Sequence, residues 1–170
     1  MSSAVPLLAI AAYSGTGKTT LLTQLIPLLK ASGIRVGMIK HTHHEMDIDT
    51  PGKDSYRLRK AGADQTLVAS AKRWALMTET PDQSEPDLAW LASRMDHTKL
   101  DLVLVEGFRR EKIPKIVLYR QDTGHNVADL IDNDTLAIAS DVPLNVPVPQ
   151  LNLNHPSAIA AFICQWLDAQ

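Results

Sequence analysis

The run Ala12-Tyr13-Ser14-Gly15-Thr16-Gly17-Lys18-Thr19 has the make-up of a phosphate cradle. It follows the spacing G-x-x-x-x-G-K-[ST], with Ala12 in the place of the first glycine. Small residues let a backbone pass close to phosphate oxygens, so that the N–H groups of Ser14, Gly15, Thr16 and Gly17 can converge on an anion. A helix beginning at the end of the loop adds its unpaired amides and the positive end of its dipole. In this pattern Lys18 reaches the β- and γ-phosphates, and the Thr19 hydroxyl is a ligand for Mg²⁺. The Cβ of Ala12 tightens the loop without abolishing it.

A phosphate site of this kind also needs an acid near the metal. Glu106 ends the apolar run Leu102–Val105, so it is the candidate to hold a metal-bound water or to orient an attacking one. Gly107 beside it lets the backbone approach a terminal phosphate. Asp101 stands at the other end of that run, about 17 Å away at 3.3 Å per residue, and is expected to be structural or solvent-facing. Asp49 follows the second strand by a few residues and is the candidate for a second metal contact or a water-positioning acid. Its segment also holds His41, His43, His44, Glu45 and Asp47. A transition-metal site needs three or four converging ligands, so a solvated active-site loop is the simpler expectation. Arg109, Arg110 and Lys112 follow Glu106-Gly107 and are open between phosphate contact and a solvated basic loop.

These residues require a frame. Leu7 to Tyr13 is apolar on both faces, as in a parallel strand covered by helices. Lys18 to Ser32 carries Leu21, Leu25, Leu28 and Leu29 at helical spacing, with Pro27 expected to kink it and Gly33 to stop it. Arg35 to Lys40 reads as a strand and Lys53 to Lys60 as a helix. Gln65 to Ser70 and Trp74 to Thr78 read as a hairpin turning at Ala71–Arg73. A helix over Pro86 to Met95 precedes strands at Leu102–Val105, Lys115–Tyr119 and Leu136–Ala139. The Pro- and Asn-rich run from Ser140 to Pro156 reads as irregular, and Pro156 opens a last helix. Strands alternating with helices give an α/β fold with a mainly parallel sheet flanked by helices. One domain over residues 1–170 is expected, with a β-hairpin inserted at about 63–80.

The chain has 170 residues, enough to bury roughly 70% of its unfolded surface without disulfides. Its formal net charge of −2 gives no basic balance, so nucleic acid is not expected as a partner. Cys164 is the single cysteine, which fits a reducing compartment. No apolar run approaches the roughly 20 residues of a membrane span. A cytoplasmic protein without membrane partners is the expectation.

Taken with the phosphate loop, the runs "IKHTHHEMDIDTPGKDSYRLRKAGA" and "LVLVEGFRREKIPKI" resemble the MobB family, the B-type GTP-binding proteins of molybdopterin-guanine dinucleotide biosynthesis. The resemblance covers most of the chain. Its K-H-T-H-H…D-x-x-G-K-D-S and V-E-G-F elements discriminate far better than the phosphate loop. It implies a P-loop NTPase-type core, GTP with Mg²⁺, and a homodimer to which the hairpin region contributes. It also implies an adaptor role beside the guanylyltransferase MobA, which attaches GMP to the molybdenum-bearing pterin, with molybdopterin as a further ligand. Carried over by position, Ser14 to Thr19 contact the triphosphate, Asp49 falls in the D-x-x-G-K-D-S run and Glu106 in V-E-G-F. Many relatives have Lys where this chain has Arg109, which keeps the charge and changes its geometry.

Guanine is often read by an N/T-K-x-D element, which this chain lacks. Asp141, just past the strand Leu136–Ala139, could accept bonds from the guanine N1–H and amino group, or cap the turn into Val142–Pro143. GTP hydrolysis is expected to be weak, because an arginine supplied to the transition state is worth about 10³–10⁵ in rate and only Arg109 or Arg110 stands near. Two other readings are a small-molecule kinase, with Arg57, Arg59 and Lys60 as a lid, and a metallochaperone GTPase using His41, His43 and His44.

Overall fold

A computed structural model of the chain describes residues 4–44 and 46–170. Glu45, one of the loop acids named above, lies outside them. The chain runs β1 (Leu7–Ala11), α1 (Lys18–Ala31), β2 (Val36–Lys40), α2 (Asp54–Lys60), β3 (Gln65–Ala69), β4 (Trp74–Thr78), α3 (Leu88–Ser93), β5 (Leu102–Glu106), β6 (Lys115–Tyr119), β7 (Thr135–Ser140), β8 (Gln150–Asn152) and α4 (Pro156–Asp168). It divides into two compact units, Thr42–Pro86 being one and the flanking segments together the other. The separate unit takes in more chain than the hairpin expected at 63–80.

The larger unit is built on a six-stranded sheet in the order β2-β5-β1-β6-β7-β8. Every pairing in it is parallel, with Leu8 level with Leu104 and Ile10 with Ile116. Parallel strands covered on both faces must be apolar throughout, and β5 is buried along its whole length. Leu8, Ile10, Leu104, Ile116 and Leu118 pack with Leu25 and Leu29 of α1 and Ile159 and Ile163 of α4. On the opposite face Ala9, Val103 and Val105 join Leu88, with Ile39 and Phe108 against them. The helix α1 is continuous through Pro27, which is exposed and leaves one backbone bond of the helix unmade.

One segment departs from the sequence reading. Within the run expected to be irregular, Gln150–Asn152 forms β8 beside Ile138–Ser140 of β7. Three residues between prolines have no periodicity of their own; pairing makes them a strand. Ile138 donates its N–H to the Pro149 carbonyl and Leu153 donates to Ser140, which extends the ladder at both ends.

The smaller unit holds α2 and the β3–β4 hairpin, paired in antiparallel register from Gln65–Thr78 to Ala69–Trp74. Its turn closes through Ser70 N–H to the Arg73 carbonyl at 2.8 Å. The side chain of Arg59, buried among Asp47, Asp49 and Glu79, ties the unit together.

Candidate functional site

Local sequence builds the loop between β1 and α1. Gly15 and Gly17 adopt φ of +82° and +91°, a left-handed region that side chains avoid. Thr16 is buried, and its hydroxyl donates to the Tyr13 carbonyl at 2.8 Å, so it braces the loop from inside. Gly17 caps α1, and the first helical bond runs from Leu21 N–H to its carbonyl at 2.9 Å. The first turn of α1 carries no acid, which leaves its amides and dipole available to an anion.

A cleft of about 390 Å³ opens over this loop. Ser14, Gly15, Gly17, Lys18 and Thr19 line it, together with Glu106 and Arg109. Glu106, at the end of β5, is the only acid among the described residues that line it. It lies 3.3 Å from Lys18 Nζ and 3.7 Å from Lys40 Nζ, so one buried carboxylate holds two ammonium groups. The strand pairing explains this meeting, because Lys40 and Glu106 are register partners at the ends of β2 and β5. Arg109 reaches the cleft with its guanidinium 5.9 Å from the Tyr13 ring centre, and Tyr13 in turn stacks on His125 at 3.7 Å. Arg110 and Lys112 are exposed and line no part of the cleft.

Gly107 has a different task. Its φ is +92°, and a Cβ there would stand 2.7 Å from the His41 carbonyl oxygen. The glycine permits the close crossing at which His41 N–H donates to the Glu106 carbonyl.

Asp49 belongs to the smaller unit. Its Oδ1 accepts from Arg59 at 2.9 Å, while its Oδ2 is buried without a partner. Asp49 and then Asp47 raise the already high pKa of Arg59. Arg59 is thereby committed to its own unit and is not a free lid arginine. No group of three or more His, Cys, Asp or Glu side chains among the described residues is arranged to hold a metal ion. His41 packs against Phe108, with ring centres 5.1 Å apart.

Asp141 accepts from Gln121 N–H at 3.0 Å and lies 3.8 Å from Arg120. The turn into Val142 and Pro143 is held by Ser140, whose hydroxyl bonds to the Val142 carbonyl and N–H. Arg120 is a site residue that sequence reasoning missed. It stands just past β6, and its Nε donates to the Thr16 carbonyl at 3.2 Å. One arginine thus joins the β1–α1 loop to Asp141. The only signal was a basic residue at the carboxyl end of a buried strand.

Asp101 pairs with Arg35 through two side-chain bonds, at 2.7 and 2.9 Å, and accepts a third from the Arg35 N–H. That arginine pulls its pKa down to about 2. The structural role expected for Asp101 is the one observed.

The model of the family described as molybdopterin guanine dinucleotide synthesis protein B matches residues 7–141. A molybdopterin-guanine dinucleotide biosynthesis adapter protein of Escherichia coli K12 is 63% identical, over 98% of this chain and 95% of that protein. One from Haemophilus influenzae is 49% identical, over 98% and 92%. Among solved structures, a molybdopterin-guanine biosynthesis protein B superposes with a TM-score of 0.75 at 26% identity, covering 94% of this chain and 99% of that one. Bacillus subtilis MobB gives 0.74 at 26% identity, covering 94% and 97%. Fold, family model and full-length relatives agree, and the chain belongs to the molybdopterin guanine dinucleotide synthesis protein B (MobB) family.

Proposed function

We propose that this chain is a GTP-binding adapter of molybdopterin-guanine dinucleotide biosynthesis that works beside the guanylyltransferase MobA. The observation that carries the nucleotide part is the cleft over the β1–α1 loop, where Lys18, helix amides and Arg109 stand with the buried acid Glu106. The names of the relatives carry the pathway.

The residues fit Mg²⁺. Thr19 supplies a hydroxyl and Glu106 a buried carboxylate to the same cleft. Bound there, the ion would neutralise charge on the β- and γ-oxygens. Lys18 exchanges its Glu106 partner for phosphate oxygens, and Glu106, still beside Lys40, has an oxygen to hold a water. Asp141 is the proposed guanine contact, held in place by Gln121 and Arg120. Turnover is slow in this reading, because Arg109 is exposed, with its guanidinium 5.9 Å from the Tyr13 ring centre.

The homodimer is proposed on the smaller unit. With the exception of Trp90, the large exposed apolar side chains among the described residues all fall within Thr42–Pro86. A solitary two-stranded hairpin is marginal in water, and a second copy would cover it.

Calorimetric titration with GTP and with ATP, each with Mg²⁺, tests the reading. GTP should bind more tightly than ATP, and more tightly still with the guanylyltransferase present. Equal binding or an ATP preference would remove the guanine assignment and favour a kinase on the same scaffold.

A further inference from the structure

Two lysines meet one oxygen of Glu106, and they stand differently. Lys18 lines the cleft over the β1–α1 loop, whereas Lys40 is not among its lining residues. The Lys40 side chain is 59% exposed, and its ammonium reaches the same Oε1 that Lys18 holds. Its place is set by the sheet and not by a loop. Lys40 and Glu106 are register partners in the parallel β2–β5 pairing, so their side chains leave the sheet on the same face. The backbone bond just beyond, from His41 N–H to the Glu106 carbonyl at 2.9 Å, ties the two strand ends together.

While Lys18 pairs with Glu106, Lys40 is close to redundant. Its contact is long, at 3.7 Å, and an ion pair with one exposed member adds little to stability. An anion on the loop changes that. Once Lys18 turns to phosphate oxygens, Glu106 stays behind as a buried carboxylate beside a second negative group. Stripping a buried charge of its partner is strongly unfavourable. Among the described residues Lys40 is then its remaining ionic partner.

We propose that Lys40 is a positioning residue for triphosphate binding: it takes over Glu106 when Lys18 moves to the phosphates, and so sets how much affinity the loop can deliver. Lys40 touches no phosphate in this scheme, and its whole effect runs through the carboxylate. The inference deepens the nucleotide reading and rests on it only for a polyphosphate at the β1–α1 loop, not for the base.

The test is a double-mutant cycle on the full chain, read by calorimetric titration with GTP and with inorganic tripolyphosphate. Lys40→Met keeps most of the side-chain stem and removes its charge. It should weaken both ligands about tenfold or more, while thermal unfolding of the ligand-free variant matches that of the parent. In a Glu106→Gln background the same substitution should change either affinity by less than about twofold, because the charge it compensates is gone. Lys40→Arg keeps a cation within reach of Glu106 and should restore most of the loss. Equal losses in both backgrounds would mean that Lys40 acts on the phosphates directly, and would overturn the proposal. So would a Lys40→Met variant that binds like the parent, or a loss that Lys40→Arg does not rescue. If tripolyphosphate shows the coupling and GTP does not bind, the role of Lys40 stands and the nucleotide reading alone fails. If the parent binds neither ligand, the phosphate assignment and this proposal fall together.

Discussion

Lys18 and Glu106 share one piece of charge chemistry: they are paired at 3.3 Å, and the proposed triphosphate would take Lys18 from that pair. Replacing Lys18 with Ala removes the cation and leaves Glu106 facing phosphate oxygens. We expect GTP affinity to fall at least about a hundredfold, or roughly 2.7 kcal/mol, with thermal unfolding little changed; unaltered affinity would sink the phosphate assignment. Gly107 tests geometry in place of charge. An alanine there combines a disfavoured φ with a 2.7 Å contact to backbone, and should cost about 2–3 kcal/mol in denaturant unfolding. Asp101 tests linkage. Its folded pKa of about 2 lies below its ordinary value, so the Arg35 pair stabilises the fold above about pH 4 and is lost as pH falls through about 2. The pair is largely exposed, so the effect is small. Asp101→Asn should flatten the acid limb of stability against pH, and an unchanged slope would show that the pair contributes nothing.

At the scale of elements, Arg120 couples the end of β6 to the phosphate loop through one bond to a loop carbonyl. Arg120→Ala should weaken GTP about tenfold and speed amide exchange in the loop. Arg120→Lys should not restore either, because an ammonium lacks the planar Nε–H that makes the contact. Protected loop amides in the alanine variant would remove this role. The same residue shows what a sequence can and cannot display. The phosphate loop is local: its glycines, its lysine and the strand and helix around it are contiguous, so it was legible. So were β5, the hairpin and α4, whose apolar periods are strong. Arg120, the Lys40–Glu106 pair and β8 arise from pairings between distant segments. No short-range pattern encodes them. Asp141 was legible as a residue at the sheet's carboxyl edge, and its bond to Gln121 was not.

For the whole molecule, the uneven distribution of apolar surface is the leading fact. Trp74 is 68% exposed and Leu67 60%, on the two strands of one hairpin. If the proposed homodimer forms through this hairpin, replacing both with Asp should give a monomer in sedimentation equilibrium and leave the proposed GTP binding in place. A dimer that survives the double substitution would place the interface elsewhere.

The division of the chain has a kinetic side as well. The unit Thr42–Pro86 leaves after β2 and returns just before α3, so it sits inside the crossover that joins β2 to its neighbour β5. As a closed loop it adds little entropy to that crossover, since each doubling of loop length costs only about 0.6 kcal/mol. The host sheet can therefore zip together while its guest is still unstructured. Order in the guest can then be acquired late, without the loop between β1 and α1 waiting for it.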